Sequence, residues 1–283
     1  MAEGSTGAEA TLAGETIGAA VARGRRRLQA AGCETPRLDA EVLLAFVLGA
    51  GRERLVLDRE LGLGGLERAR FDQLVARREA REPVAYILGS KEFRRLRLTV
   101  DRRVLIPRPE TELLVEVGLG LPVGARVADV GTGSGAVALA LADERPDLVL
   151  RGLEVDPGAL AVAVANRDRL ALAVELVAAD LLDDGVYDAV LANPPYVPVG
   201  AVLAPEIAGY EPAGALFAGA DGLDVVRRLV ELVAGRRPLP LLALEIGPEQ
   251  AAAVAELLSS VGFASVDVLR DLAGLDRVVV GSP

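Results

Sequence analysis

The apolar positions along the chain follow two different periods. From about Glu15 to Glu82 they recur near a helical spacing, and no strand pattern is present. Pro36 stands where the first residue of a helix tolerates proline, and the glycines at 49 and 51 indicate a helix stop. This segment therefore predicts a small helical bundle. The residues before it, from Ala2 to Thr11, are small and polar and predict a frayed tail.

A short extended segment follows the helical one. Pro83 to Gly89 breaks the helical pattern, and the apolar residues after it predict a β-hairpin or extended bridge: Phe93, Leu96, Leu98, Val100 and Val104 to Ile106. The prolines at 107 and 109 end it, and the acids at 110 and 112 indicate the first turn of a helix. We expect a docking domain over residues 1–85, a linker over 86–106 and a catalytic domain over 107–283.

From Arg126 onwards, strands and helices alternate. The predicted strands are Arg126–Val130, Leu148–Glu154, Val174–Ala178, Tyr187–Ala192, Leu239–Ile246, Ala264–Leu269 and Asp276–Val280. The predicted helices are Ala136–Glu144, Pro157–Leu170, Leu223–Ala234 and Pro248–Val261. Such alternation predicts an α/β fold with a doubly wound, mainly parallel, seven-stranded sheet. Ligands of these sheets bind at the carboxyl ends of the strands, where the strand order reverses.

Composition narrows the chemistry that this fold performs. The net charge is −10 and the pI about 4.8, which counts against a nucleic acid as the main partner. Cys33 is the only cysteine, so an internal disulfide is excluded and a cytoplasmic location is expected. No apolar stretch has the length and purity of a membrane span. The chain has no histidine, which excludes histidine bases and triads and most transition-metal sites, so we expect no metal.

A glycine-rich turn follows the first strand of the sheet. It runs Asp129-Val-Gly131-Thr132-Gly133-Ser-Gly135, and its glycines permit positive φ and a close approach of the backbone to a ligand. With Ala136 it also satisfies the dinucleotide pattern, so the turn alone does not separate NAD from S-adenosylmethionine. Two acids end the following strands. Glu154 is placed to bind ribose hydroxyls, and Asp180 to accept from an adenine amine.

The sequence Asn193-Pro194-Pro195-Tyr196 follows the fourth predicted strand. Two consecutive prolines forbid a helix and make a stiff loop that presents an amide, bare carbonyls and an aromatic ring. This set suits a planar group carrying an NH₂. An NAD oxidoreductase would also need a residue that handles a proton, and none is placed for it. The loop therefore favours a methyltransferase.

At this point the chain resembles the class I S-adenosylmethionine-dependent (Rossmann-like) methyltransferases, and among them the peptide chain release factor glutamine methyltransferases. The likeness runs from about Arg37 to Val280. It is carried by these pieces: Pro83–Gly89, Val104–Glu112, Asp129–Gly135, Asn193–Tyr196, Glu211-Pro212, Ala215-Leu216, Asp221-Gly222, Arg270-Asp271 and Asp276-Arg277. The Ile-Pro-Arg-Pro-Glu-Thr-Glu stretch and the helical N-terminal segment are the most specific of them.

The resemblance implies a function and a set of roles. The enzyme would transfer a methyl group from S-adenosylmethionine to the glutamine of the Gly-Gly-Gln motif of release factors, tuning translation termination. Gly131 and Gly133 would lie against the methionine part of the cofactor, and Glu154 and Asp180 against its ribose and adenine. The loop from Asn193 to Tyr196 would hold the substrate glutamine, with Asn193, Pro194 and Tyr196 as its catalytic residues and Asn193 also touching the cofactor. The family more often has Asp at the position of Glu154, and the longer acid should still reach.

Three alternatives remain open at this level. An adenine-amino methyltransferase acting on DNA or RNA uses the same loop on a flipped base. A glutamine methyltransferase acting on a ribosomal protein is a second. A non-catalytic binding module that keeps the fold is a third. The negative net charge of the chain and the lack of a basic or aromatic recognition domain count against the adenine-amino methyltransferase.

Overall fold

A computed structural model describes residues 15–235 and 239–283 of the chain, and the predicted tail from Ala2 to Thr11 lies outside them. The chain divides into two compact units between Leu88 and Gly89. Within the described residues, no helix is both long enough and apolar enough to cross a membrane.

The first unit is helical, as the spacing of its apolar residues predicts. Its helices are α1 Ile17–Ala30, α2 Pro36–Leu48, α3 Arg52–Leu57, α4 Gly65–Glu79 and α5 Val84–Leu88. The Thr16 hydroxyl caps α1, α2 begins at Pro36, and it ends at Gly49 in the left-handed conformation. Leu28, Leu43 and Phe71 are among the fully buried side chains of the core. The bundle is therefore confirmed.

Arginines of this unit form ion pairs within it. Arg23 donates to Glu15 and Arg27 donates to Glu79, each through its Nε at 2.8 Å. Arg78 donates to Asp39, also at 2.8 Å, with both side chains buried. The pairs on the surface stabilise the fold only slightly, whereas removing one partner of the buried pair is expected to be strongly destabilising.

The second unit begins with a hairpin and a helix. The hairpin strands are β1 Ser90–Phe93 and β2 Leu96–Thr99, antiparallel to each other, and α6 covers Glu112–Leu119 after a 3₁₀ turn at Pro109–Thr111. Val104 to Ile106 lie outside the hairpin as irregular chain. The buried Asn166 accepts a hydrogen bond from the Thr99 N–H at 2.7 Å and donates to the Ser134 carbonyl at 3.0 Å. It thus joins the hairpin to the glycine turn.

A seven-stranded mixed sheet forms the centre of this unit. Its strands are β3 Arg126–Val130, β4 Val149–Glu154, β5 Glu175–Ala178, β6 Ala189–Ala192, β7 Leu242–Glu245, β8 Ser265–Arg270 and β9 Asp276–Ser282. The order is β5-β4-β3-β6-β7-β9-β8, in which β9 is antiparallel to both β7 and β8 and the pairs from β5 to β7 are parallel. The chain winds outwards from β3 to β5 and returns to β6, so the order reverses between β3 and β6. The predicted sheet and its strands are confirmed, with ends that differ by a few residues.

Helices pack against the sheet and complete two cores. The remaining helices are α7 Ala136–Glu144, α8 Pro157–Leu170, α9 Pro205–Ala208, α10 Asp224–Ala234 and α11 Ala251–Ser260. Because successive side chains of a strand face opposite sides, Leu191 belongs to the core that contains α7, and Val190 to the core that contains α10 and α11. Burial on both faces explains why the central strands are continuous apolar runs.

Candidate functional site

The glycine turn and the Asn-Pro-Pro-Tyr loop leave neighbouring strands at the same edge of the sheet. β3 and β6 pair in parallel, and Val130 lies opposite Ala192, so both strands stop at one level. A cavity of about 520 Å³ lies at this edge. Of the predicted site residues, those that line the cavity are Asp129, Gly131, Thr132, Gly133, Glu154, Asp180, Asn193, Pro194 and Pro195. Gly135 and Tyr196 do not line it.

The three glycines of the turn have positive φ, with values of 69° at Gly131, 58° at Gly133 and 85° at Gly135. Their surroundings differ. A Cβ at Gly131 would meet no atom within 4 Å and would project into open space. A Cβ at Gly135 would lie 2.7 Å from Leu139 Cδ1. Gly131 therefore leaves room for a ligand, whereas Gly135 allows the following helix α7 to pack.

The Asp129 side chain stabilises the glycine turn by hydrogen bonds. Its Oδ2 accepts from the Thr132 hydroxyl at 2.6 Å and from the Ala138 N–H at 3.0 Å. Burial raises the pKa of the Asp129 carboxyl to about 6, and these two hydrogen bonds work against the rise. Although Asp129 lines the cavity, the contacts of this carboxyl are with the protein. Its position favours a role in shaping the turn.

Glu154 closes the side of the cavity formed by β4. Its Oε2 accepts from the Gly133 N–H at 2.9 Å and its Oε1 from the Asp156 N–H at 3.0 Å. The side chain is only 8% exposed, yet it lines the cavity. Each carboxylate oxygen has a further lone pair, so a diol in the cavity can still be bound. The longer side chain thus reaches the turn as well as the cavity.

Asp180 lies at the outer rim and has a partner that the sequence analysis missed. Arg228, on α10, donates to the Asp180 carboxylate at 2.7 Å, and both side chains are more than half exposed. Both residues also line the cavity. A charged pair on an exposed rim contributes little to stability, but it fixes where the Asp180 carboxylate points.

Asn193 is held by a residue far away in the sequence. Its Nδ2 donates to the Thr111 hydroxyl at 3.1 Å, and both residues line the cavity. With the amide nitrogen engaged in this way, the Asn193 oxygen remains available as an acceptor. Pro194, which has no N–H, is buried beside it and offers its carbonyl.

The segment that carries Thr111 is anchored by Glu211. Glu211 Oε2 accepts from the Ile106 N–H at 3.1 Å, and Oε1 accepts from the Arg108 guanidinium. The Glu211 side chain is almost fully buried. These contacts fix the irregular chain before the 3₁₀ turn, and therefore the position of Thr111.

Tyr196 is fixed through its backbone. Its carbonyl accepts from Gln250 Nε2 at 3.0 Å, and the same nitrogen donates to the Asp221 carbonyl at 3.1 Å. A Cβ at Gly222, where φ is 78°, would lie 2.1 Å from the Tyr196 carbonyl oxygen. The close approach of Gly222 thus permits the observed loop. Burial, followed by the nearby Glu245, raises the pKa of the Tyr196 hydroxyl to about 12, which keeps it neutral in the physiological range.

Gly222→Ala is therefore expected to displace the loop. The methyl group collides with a backbone oxygen, and the positive φ adds strain, for a combined cost of about 2–4 kcal/mol in the free energy of unfolding. Thermal unfolding and the turnover number measure the effect. Gly120→Ala is the matched control, because a Cβ there lies 3.5 Å from the nearest atom, an ordinary contact. Equal stability of the two variants would contradict the explanation.

Comparison with known proteins gives the family. Residues 19–89 match the family model described as the PrmC N-terminal domain, and residues 109–207 match that of the Methyltransferase small domain. The chain is 40% identical over 284 residues to the release factor glutamine methyltransferase of Rhodospirillum rubrum, covering 96% of this chain and 87% of that protein. It is 43% identical to that of Moorella thermoacetica, covering 93% and 96%. The chain belongs to the release factor glutamine methyltransferase family.

Solved structures of other methyltransferases have a fold similar to that of this methyltransferase. The hMettl16 catalytic domain in complex with MAT2A 3'UTR hairpin 6 superimposes with a TM-score of 0.54 at 19% identity, covering 77% of this chain and 82% of that one. A methyltransferase from Pyrococcus furiosus has a TM-score of 0.50 at 18% identity, covering 65% and 87%. At these identities the likeness concerns the fold alone.

The sequence missed several residues that line or support the methyltransferase site: Thr111, Glu211, Arg228 and Gln250. A signal existed for two of them. Thr111 and Glu211 belong to the stretches by which the chain resembles the family, although neither had a role assigned. The other two stand in ordinary helical patterns. No group of three or more metal-ligating side chains suited to a metal ion occurs among residues 15–235 and 239–283.

Proposed function

We propose that this enzyme transfers a methyl group from S-adenosylmethionine to the side-chain amide nitrogen of the glutamine in the Gly-Gly-Gln motif of peptide chain release factors. The observation that carries the proposal is the register of β3 and β6, in which Val130 lies opposite Ala192 at the ends of the two strands. It sets the glycine turn beside the Asn-Pro-Pro-Tyr loop, so that a donor bound at the first and an amide bound at the second would be neighbours.

The residues around the cavity suit the cofactor. Gly131 leaves open space for the methionine part, and Glu154 offers carboxylate lone pairs to the ribose hydroxyls. Asp180, steadied by Arg228, is proposed to accept from the adenine amine. When bound, the cofactor would supply an electrophilic methyl group from its sulfonium, leaving a thioether, and the methylated amide nitrogen would release a proton to water.

The loop performs the remaining work by orientation. An amide nitrogen is a poor nucleophile because its lone pair is delocalised into the carbonyl. The Asn193 oxygen and the Pro194 carbonyl are proposed to accept one amide hydrogen each, which favours a localised lone pair directed at the methyl group. We assign to Tyr196 the packing against the amide that excludes water. Positioning and fixed dipoles of this kind lower the activation free energy by up to about 7–11 kcal/mol in favourable cases.

A single labelling experiment tests this function. The enzyme is incubated with methyl-labelled S-adenosylmethionine and a release factor, a release factor whose Gly-Gly-Gln glutamine is replaced by alanine, duplex DNA, or a ribosomal protein. We expect label in the intact release factor alone, at the glutamine, as shown by mass spectrometry of the peptide. Label in DNA or in the ribosomal protein, with none in the release factor, would overturn the assignment.

A further inference from the structure

A buried carboxyl group lies behind the Asn-Pro-Pro-Tyr loop and has no role so far. Glu245 ends β7, the strand that pairs with β6, and it is only 1% exposed. Its Oε2 has no hydrogen-bond partner among the residues that the structure describes. Buried polar groups are nearly always paired, and a buried carboxylate without full pairing is costly, so its presence here calls for a physical reason.

Charged groups lie near Glu245, but among the described residues no ion pair with its carboxylate is formed. These groups are Arg108 and Glu110, before and in the 3₁₀ turn, Tyr196 in the loop and Arg277 on β9. The two arginines already form ion pairs, with Glu211 and Asp271 respectively. Burial raises the pKa of the Glu245 carboxyl to about 7, and a hydrogen bond from the Thr111 side chain works against the rise.

Thr111 connects this carboxyl to the catalytic amide. Its oxygen accepts from Asn193 Nδ2 at 3.1 Å, and its hydroxyl has a single hydrogen to donate. A carboxylate is an acceptor only, so a hydroxyl beside it points its hydrogen at the carboxylate and offers its lone pairs elsewhere. With Glu245 ionised, the Thr111 oxygen therefore accepts from the NH₂ group of Asn193.

We propose that ionised Glu245 is a positioning residue which, through the Thr111 hydroxyl, holds the Asn193 amide with its oxygen towards the substrate glutamine. The inference rests on the proposed function of Asn193. When Glu245 is protonated it becomes a donor to Thr111, and the Thr111 hydrogen turns to the Asn193 oxygen. The Asn193 NH₂ group then faces the NH₂ group of the substrate, two donors that repel each other.

The proposal predicts a pH dependence that an unconnected buried acid would not cause. Below about pH 7 the turnover number falls with decreasing pH, because the protonated fraction of Glu245 grows. Tyr196 stays neutral over this range, since its pKa is about 12. Glu245→Gln removes this titration. The glutamine side chain has the same shape but does not titrate, so we expect the fall in turnover near pH 7 to be absent while the titration of Asp129, whose pKa is about 6, remains. Cofactor affinity should stay within about twofold of wild type.

If Glu245→Gln alters folding, two Thr111 variants still test the inference. Thr111→Ser preserves the hydroxyl and should retain turnover and its pH profile. Thr111→Val preserves the shape, removes the hydroxyl, and should lose about tenfold or more with the profile flattened. Equal rates for the serine and valine variants, or a wild-type pH profile in Glu245→Gln, would overturn the inference.

A second readout is independent of methyl transfer. The pKa of Glu245 is higher in the folded protein than its ordinary 4.5. The folded state therefore binds more protons in the window between about 4.5 and about 7, and its stability falls as the pH rises through that window. The melting temperature of wild type should fall relative to that of Glu245→Gln over this range and run parallel to it above.

The outcomes separate this inference from the proposed function. Wild-type enzyme that fails to methylate the release factor overturns the function itself. Wild-type enzyme that methylates it, with Glu245→Gln and Thr111→Val unchanged in rate and pH profile, overturns only the role of Glu245.

Discussion

Asn193→Ala is expected to lower the turnover number by at least about 10²-fold, the usual loss for a preorganised polar group aimed at the reacting atoms. The variant lacks the oxygen that would accept an amide hydrogen, so the substrate nitrogen keeps its delocalised lone pair. Binding of S-adenosylmethionine should change little, because the glycine turn and Glu154 lie on β3 and β4, on the other side of the switch point. Single-turnover kinetics and calorimetric titration of the cofactor measure the two effects separately.

Val199→Ala is the matched control for this variant. Val199 stands six positions further on, is 67% exposed and has no role in the proposed site. Its turnover and cofactor affinity should equal those of wild type. An Asn193→Ala enzyme that turned over normally at saturating cofactor, but bound the cofactor poorly, would show that Asn193 serves the cofactor and not the glutamine.

Glu154→Ala is expected to have the opposite signature. Three contacts disappear together: the proposed bonds to the ribose hydroxyls, and the bonds that the carboxylate accepts from the Gly133 and Asp156 N–H groups. Hydrogen bonds to a charged group are worth about 1.5–3 kcal/mol, so the dissociation constant of S-adenosylmethionine should rise about 10- to 100-fold. Turnover at saturating cofactor should fall much less.

Glu154→Asp tests the same site with the charge kept. The shorter carboxylate should still face the cavity but reach less far towards Gly133. We expect its cofactor affinity to lie within a few-fold of wild type. A dissociation constant as high as that of Glu154→Ala would mean that the bond to the turn, and not the ribose, determines the effect.

The adenine-amino alternative is not favoured for this chain. The relatives that cover nearly all of it are named release factor glutamine methyltransferases. The hMettl16 structure is similar in fold only, at 19% identity. The Asn-Pro-Pro-Tyr loop fits either substrate, because an adenine and a carboxamide both present a planar NH₂ group. The N-terminal helical unit matches the PrmC N-terminal domain, in agreement with the names of these relatives.

Several features followed from local sequence. Helices and strands could be placed within a few residues because their periodicities differ and because glycine and proline mark the ends. The glycine turn and the Asn-Pro-Pro-Tyr loop could be assigned to strand ends for the same reason. The absence of histidine by itself excludes histidine bases and Ser-His-Asp triads.

Long-range contacts were decided by the tertiary structure alone. Thr111 and Asn193 are 82 positions apart, and Ile106 and Glu211 are 105 apart. Nothing local distinguishes Glu245 from any acid at a strand end until β7 is paired with β6 and covered. The period of the apolar residues shows which of them share one buried face, because the side chains on a face of a strand or helix are set by local geometry. Which polar groups meet depends on strand order and register, and these arise only when the whole chain packs.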